Sequence, residues 1–122
     1  MFFPAGDWFR AFLLTVVVEV PVATYLLRRA DPQLWRTAAL VFFANLSSHP
    51  LVWYVWTQVF LVGTTPYVIA AEAWAVVIEA VFYFVAFRGI GAGRAVLVSV
   101  VANAASFVIG RVVVQVLPEV LR

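Results

Sequence analysis

With 122 residues, 66% of them hydrophobic and 11% charged, the chain is too apolar to cover a small soluble domain with polar side chains, and it reads as a membrane protein. The absence of cysteine excludes disulfides and thiolate metal sites, and a single His excludes a multi-His metal cage within one chain. The net charge of +2 arises from arginines scattered along the sequence, a pattern that predicts no nucleic-acid partner.

A helix needs about 20 apolar residues to cross ~30 Å of hydrocarbon. Four segments meet that length: residues 8–27, 37–62, 66–87 and 95–117. The first follows "MFFPAGDWFR", which places Asp7 ahead of Arg10 and lacks a basic start. No A-x-A site follows the segment, so it is read as a retained helix. It carries Thr15, Glu19 and Pro21. The connection "RRADPQLWR" contains Asp31-Pro32, a turn signal. The second segment holds "FFANLSSHP", with Asn45, Ser48, His49 and Pro50. In "GTTPY", Gly63 is the predicted stop, Thr65 the N-cap and Pro66 the first helical residue. The third segment carries Glu72 and Glu79. "RGIGAGR" is a glycine-rich turn without the Lys or following Ser/Thr of a phosphate loop. The fourth segment holds "VVANAASFV", with Asn103 and Ser106, followed by Arg111.

Orientation follows from the arginines. Arg28, Arg29, Arg36, Arg88 and Arg94 fall in the two loops on one side, which is the predicted cytoplasmic side. Both termini then face outward. The expected location is a bacterial inner (plasma) membrane.

The chain also repeats. Residues 11–28 align with 71–88 at an offset of 60, which puts Glu19 on Glu79 and Arg28 on Arg88. Residues 36–57 align with 94–115 at an offset of 58, which puts Arg36 on Arg94, Asn45 on Asn103 and Ser48 on Ser106. Polar residues are scarce in these segments, so five matched polar positions carry the argument. The prediction is an all-α polytopic membrane protein in one domain, residues 1–122. Its four transmembrane helices form two tandem, parallel two-helix hairpin repeats, residues 8–62 and 66–117.

Spacing sets the depth of the polar residues. Glu19 and Glu79 lie nine residues before Arg28 and Arg88, and Asn45 and Asn103 lie nine after Arg36 and Arg94. At 1.5 Å per residue each sits about 13 Å inside the arginines, near the bilayer midplane. A carboxylate there costs on the order of 3 kcal/mol and should face the bundle interior. The predicted ion- or proton-binding layer is Glu19, Asn45, Ser48, Glu79, Asn103 and Ser106. Thr15 and His49 extend it on the same stripes, and the carbonyls freed by Pro21 and Pro50 are expected to turn toward it. Glu72 and Arg111 are expected to pair on the outward side, where Phe12 and Trp53 take the matched positions. All these donors are oxygens or one imidazole, which suits protons and hard cations, although no particular metal is indicated. No catalytic group and no cofactor are predicted.

The size, the four spans and Glu19 within "VVVEVPV" resemble the small multidrug resistance transporters. That resemblance implies a first-helix carboxylate coupled to protons and drugs. The third segment, "AEAWAVVIEAVF", carries two glutamates where that family has a tight glycine motif, and the parallel repeat is foreign to it. The likeness is one of size and places the chain in no family.

The sequence therefore predicts a lipid-embedded protein, a homo-oligomer or the partner of another membrane subunit, that binds and moves protons, a small cation or a proton-coupled solute. An alternative is a non-transporting subunit or assembly factor whose polar layer is adhesive. A more distant one is an intramembrane lipid-modifying enzyme using a buried Glu.

Overall fold

Long apolar runs must satisfy their own backbone N–H and C=O groups, and a helix does this within one segment. The computed structural model describes residues 5–59, 64–87 and 89–116, and these are helical apart from short connections, with no strand among them. The elements are α1 (Ala5–Leu26), α2 (Leu34–Tyr54), the single turn α3 (Trp56–Val59), α4 (Thr65–Ala86) and α5 (Gly91–Val116).

Two expectations about boundaries change. The second segment does not run as one helix through residue 59. Pro50 has no N–H for the Leu46 carbonyl, and one turn beyond it α2 ends at Tyr54 and α3 begins after Val55. The cap of α4 is Thr64 in extended conformation rather than Thr65, which places Pro66 in the first helical turn, where its missing N–H is harmless. Gly63 and Arg88 lie outside the described residues.

Among the described residues, two helical stretches are long and apolar enough to cross a membrane: Thr65–Ala86 and residues 91–113, each with mean hydropathy 2.0. On α1 the apolar stretch found is Phe12–Leu26, and Asn45, Ser47, Ser48, His49 and Pro50 dilute α2.

The four long helices close into a ring. α1 packs on α2 and α5, and α4 packs on the same two. Among the described residues α1 and α4 stand diagonally, as do α2 and α5. Buried alanines (Ala23, Ala44, Ala95 and Ala102) let the helices approach closely. Together with Leu27, Val41, Tyr83, Phe87 and Val98 they form an apolar core toward the end where the α1–α2 and α4–α5 connections lie. The outer surface is apolar as well: Val17, Phe43, Val85 and Val108 are each more than half exposed. The buried polar residues are Glu19, Asn45, Ser48, Glu79, Ser99 and Asn103 from the four long helices, plus Thr37 and Asp31 near the α1–α2 connection.

The arginine-rich connections close the ends of the helices. Arg28 Nη1 donates to the Tyr25 carbonyl at 2.7 Å and its guanidinium lies 4.0 Å from the Tyr25 ring centre. Arg94 Nη2, from the start of α5, donates to the Leu26 carbonyl at 3.0 Å. Both satisfy carbonyls that a helix C-terminus leaves open. Asp31 organises the turn into α2 by accepting from the Gln33 N–H at 2.9 Å and from Arg36 Nε at 2.6 Å. The Arg36 guanidinium holds the Asp31 carboxyl below its ordinary range. Gly89 (φ 84°) and Gly91 (φ 78°) take left-handed conformations that make the tight turn into α5.

Candidate functional site

Helical periodicity places the polar residues on inward stripes. On α1 the stripe is Thr15, Glu19 and Ala23, and on α4 it is Ala75, Glu79 and Tyr83. On α2 it is Val41, Asn45 and Ser48, and on α5 it is Ser99, Asn103 and Ser106. The ring brings all four stripes to one level. Glu19 and Glu79 are buried there and their carboxyl groups meet.

Each carboxyl is held by a serine from the other helix pair. Ser106 Oγ donates to Glu19 Oε1 at 2.7 Å, and Ser48 Oγ to Glu79 Oε2 at 3.1 Å. The amides stand beside the carboxyls of their own pair, Asn45 by Glu19 and Asn103 by Glu79. Their Nδ2 groups are anchored one turn back, on the Val41 carbonyl at 3.0 Å and the Ser99 carbonyl at 2.8 Å. Three acceptors in this layer have no hydrogen-bond partner among the described residues: Glu19 Oε2, Glu79 Oε1 and Asn45 Oδ1.

The serines are within reach of two acceptors each. Ser106 Oγ is also 3.0 Å from the Asn103 carbonyl, and Ser48 Oγ 3.3 Å from the Asn45 carbonyl. A hydroxyl has one hydrogen, so it serves one acceptor at a time. When the glutamate is ionised the hydroxyl donates to it. When the glutamate is protonated the acid donates to the serine oxygen, and the serine hydrogen turns to the carbonyl. The same framework thus fits both protonation states without moving a helix.

A cavity of about 60 Å³ opens at this layer, lined by Thr15, Glu19, Asn45, His49, Glu72, Glu79, Asn103 and Ser106, with Ala71 and Ala75. A water needs roughly 10–15 Å³ on this measure, so a few waters or one small ion fit. Organic ligands of drug size occupy about 300 Å³ or more, which this space does not offer.

Thr15, His49 and Glu72 therefore line the same cavity as the carboxyl pair, and Ser48 joins through its bond to Glu79. His49 packs edge-on to Phe12, with ring centres 5.3 Å apart. Arg111 does not join. It is exposed, its guanidinium lies 5.9 Å from the Phe107 ring centre, and the ion pair found among the described residues is Asp31–Arg36. Eight residues beyond Asn103 turn the helix by 800°, about 80° off the stripe, and it is Gly110 that faces the bundle, against Leu14. The expected Glu72–Arg111 pair is thus not formed. Pro21 also departs from expectation. It and Val17 lie on the exposed face of α1, so the freed Val17 carbonyl turns away from the cavity. The side chain of Trp53 lies outside what the structure describes.

Next to this layer stand two buried polar residues that the sequence pattern does not single out. Ser99 donates to the Val76 carbonyl of α4 at 2.8 Å and supports the Asn103 amide. Tyr83 is buried one turn from Glu79, and its hydroxyl has no hydrogen-bond partner among the described residues. Both sit four residues from a matched polar residue on its own stripe, the signal that could have found them. Among the described residues, no group of three or more His, Cys, Asp and Glu side chains is arranged to hold a metal ion. Comparison with known protein families, curated proteins and solved structures finds no match.

Proposed function

We propose that the chain is a four-span membrane protein, built from two parallel hairpins, that binds and moves protons or a small monovalent cation through the Glu19–Glu79 pair. The observation that carries this reading is the contact of two buried carboxyl groups, each with one oxygen held by a serine and one unclaimed, beside a cavity large enough for a few waters. Two negative charges in contact at a buried site repel, and no Arg or Lys side chain lines the cavity, so a proton or a cation is what the pair lacks. The serines tolerate either protonation state, as a site that loads and unloads must.

Several features support the membrane architecture. α1 and α2, at 22 and 21 residues, are as long as a span needs, at about 32 Å each. Apolar side chains cover the outside of all four long helices, which lipid would solvate and water would not. The duplication is supported by matched burial at Glu19 and Glu79, Leu27 and Phe87, Ala44 and Ala102, and Asn45 and Asn103, and by the reciprocal serine bonds. The arginine loops belong on the cytoplasmic side of a bacterial inner membrane in this reading, with the termini outside. The broad apolar exterior also leaves room for a second copy or another membrane subunit.

Proton and cation flux into liposomes carrying the purified chain tests the proposal. The native chain should pass one species, and Glu19→Gln and Glu79→Gln should lose it. Equal flux through all three for every species tried would end the transport reading. The second reading, an adhesive polar layer in a non-transporting subunit, is favoured by the same serine–glutamate bonds that tie the two hairpins together. It predicts Glu→Gln variants that remain folded and fully functional in a complex.

A further inference from the structure

The two hairpins present the same side chains at the level of the carboxyl pair and different ones on either side of it. Glu72 lies seven residues before Glu79 on α4, and Tyr83 four residues after. These steps turn the helix by 700° and 400°, so the three residues fall within about 40° of one line. The matched residues on α1 are Phe12, Glu19 and Ala23. Thus α4 carries an unbroken line of proton-bearing groups, whereas α1 carries one carboxyl between two apolar residues.

The line crosses two environments. Glu72 and Glu79 line the same cavity. Tyr83 lies beyond it, fully buried in the apolar core with Leu27, Val41, Phe87 and Val98, its ring 6.3 Å from that of Phe87. Helical side chains lean toward the N-terminus, which carries the phenol back toward Glu79 and within electrostatic reach of both carboxyls. Its hydroxyl nevertheless has no partner among the described residues. Phenylalanine would fill the same space without burying an unpaired hydroxyl, so packing does not account for a tyrosine here.

We propose, on the reading of this site as a transport path, that the transported species is the proton, that it travels along α4 from Glu72 to Glu79 to Tyr83, and that Tyr83 is the gate on the arginine-rich side. Glu19 is then a fixed partner that positions Glu79. The buried side-chain oxygens at the level of Tyr83 are its own and that of Ser99, too few for a metal cation, which needs about six. The groups facing the line are Thr15 and Glu19 from α1, Asn45, Ser48 and His49 from α2, and Ser99, Asn103 and Ser106 from α5. The transfer requires the Tyr83 side chain to shift into hydrogen-bond contact with Glu79, which it does not make at rest; the Glu79 O–H bond then breaks as the phenol oxygen takes that proton. The phenol's own O–H bond breaks as its proton passes to water admitted from the arginine-rich side. Glu79 is left as a carboxylate, and a proton from Glu72 restores it, so one proton moves inward for each proton taken up.

The test uses the full chain in liposomes containing a pH-sensitive dye, under an imposed pH gradient, with sodium flux measured in parallel. Tyr83→Phe should fold with equal or greater thermal stability, because it removes an unpaired hydroxyl, yet pass protons on the order of a hundredfold more slowly. Glu72→Gln should also slow proton flux, Phe12→Leu should not, and sodium should not pass. Fluorotyrosine at position 83 keeps the shape and changes the acidity of the phenol, so it should displace the pH profile of flux. Native proton flux with Tyr83→Phe equal to native and an unmoved fluorotyrosine profile would overturn the α4 path and leave the transport reading standing. Sodium flux without proton flux would overturn the proton assignment alone. No flux of any ion through the native chain would overturn both.

Discussion

The hairpin of α1 and α2 and the hairpin of α4 and α5 agree at one level and differ at the levels next to it. At the carboxyl layer each supplies a Glu, an Asn and a Ser, and each Ser reaches across to the other's Glu. One to two turns to either side the match fails: Phe12 faces the level of Glu72, His49 that of Phe107, Ala23 that of Tyr83, and Val41 that of Ser99. A bundle that needed the polar layer only for adhesion would have no use for such differences, since either hairpin's version would pack. A path with a direction needs its two ends to differ. In the proposed transport reading, the shared layer bears on what is held and the unshared flanks on how it enters and leaves.

The strongest way to break the comparison is at the apolar end. Leu27 and Phe87 are matched, both buried, and both belong to the core beside the arginine loops. Truncation to Ala should cost about 2–5 kcal/mol for Leu27 and about 3–5 kcal/mol for Phe87. Phe87 should be the worse of the two, because it removes a ring that packs on Tyr83. Denaturant unfolding in micelles measures both. Near-zero cost at either position would show that this end is not one packed plug, and the gate assigned to Tyr83 would lose its seal.

A smaller effect separates the two serines. Ser106→Ala removes a 2.7 Å donor from Glu19 and Ser48→Ala a 3.1 Å donor from Glu79, each also within reach of a backbone carbonyl, at 3.0 and 3.3 Å. The first should destabilise by about 1–2 kcal/mol and the second by less. Double-mutant cycles pairing Ser106→Ala with Glu19→Gln and Ser48→Ala with Glu79→Gln isolate the two coupling energies. Equal couplings would mean that the hairpins are energetically interchangeable at this layer. Ser99→Val tests the same asymmetry from the side. It should lose about 0.5–1.5 kcal/mol with its bond to the Val76 carbonyl, whereas the matched residue on α2 is already Val41 and makes no such bond.

The parts that were legible in the sequence are those fixed by distance along one helix. Nine residues between Glu19 and Arg28, and again between Glu79 and Arg88, set a depth that packing cannot change, so the convergence of Glu19, Glu79, Asn45 and Asn103 could be anticipated. Rotation was read less well. Height alone suggests that Arg111 meets Glu72, yet 80° of rotation sends it outside, and the missing N–H of Pro21 does not reveal its exposed face. Tyr83 and Ser99 do not stand out in the sequence, because an aromatic or a serine in an apolar run is usually filler. Only the packed ring shows that one has an unclaimed hydroxyl and the other bridges two helices. The break after Tyr54 depends on how α2 continues beyond Pro50, which no pattern in the apolar run announces.

The smallest expected effect lies in the connections, where the comparison between hairpins is again unequal. Arg36 and Arg94 are matched, yet Arg36 is bound to Asp31 at 2.6 Å while Arg94 reaches the end of α1. The α4–α5 turn has no acid, and two glycines in left-handed conformation do the work of Asp31 there. Because Arg36 lowers the folded-state pKa of Asp31, this pair stabilises the fold above the ordinary carboxylate pKa of about 3.9, and the contribution disappears as pH falls through the lower folded-state value. Asp31→Asn should therefore reduce stability slightly at neutral pH, and the difference from the native chain should vanish in strong acid. Arg36 is half exposed, so salt should shrink the difference too. Unfolding measured across pH and ionic strength checks the sign. A deficit that persists in acid would show that Asp31 acts through its bond to the Gln33 N–H, shaping the turn, rather than through charge. In that case the two connections, one built on an acid and one on glycines, would be equivalent solutions to the same backbone problem.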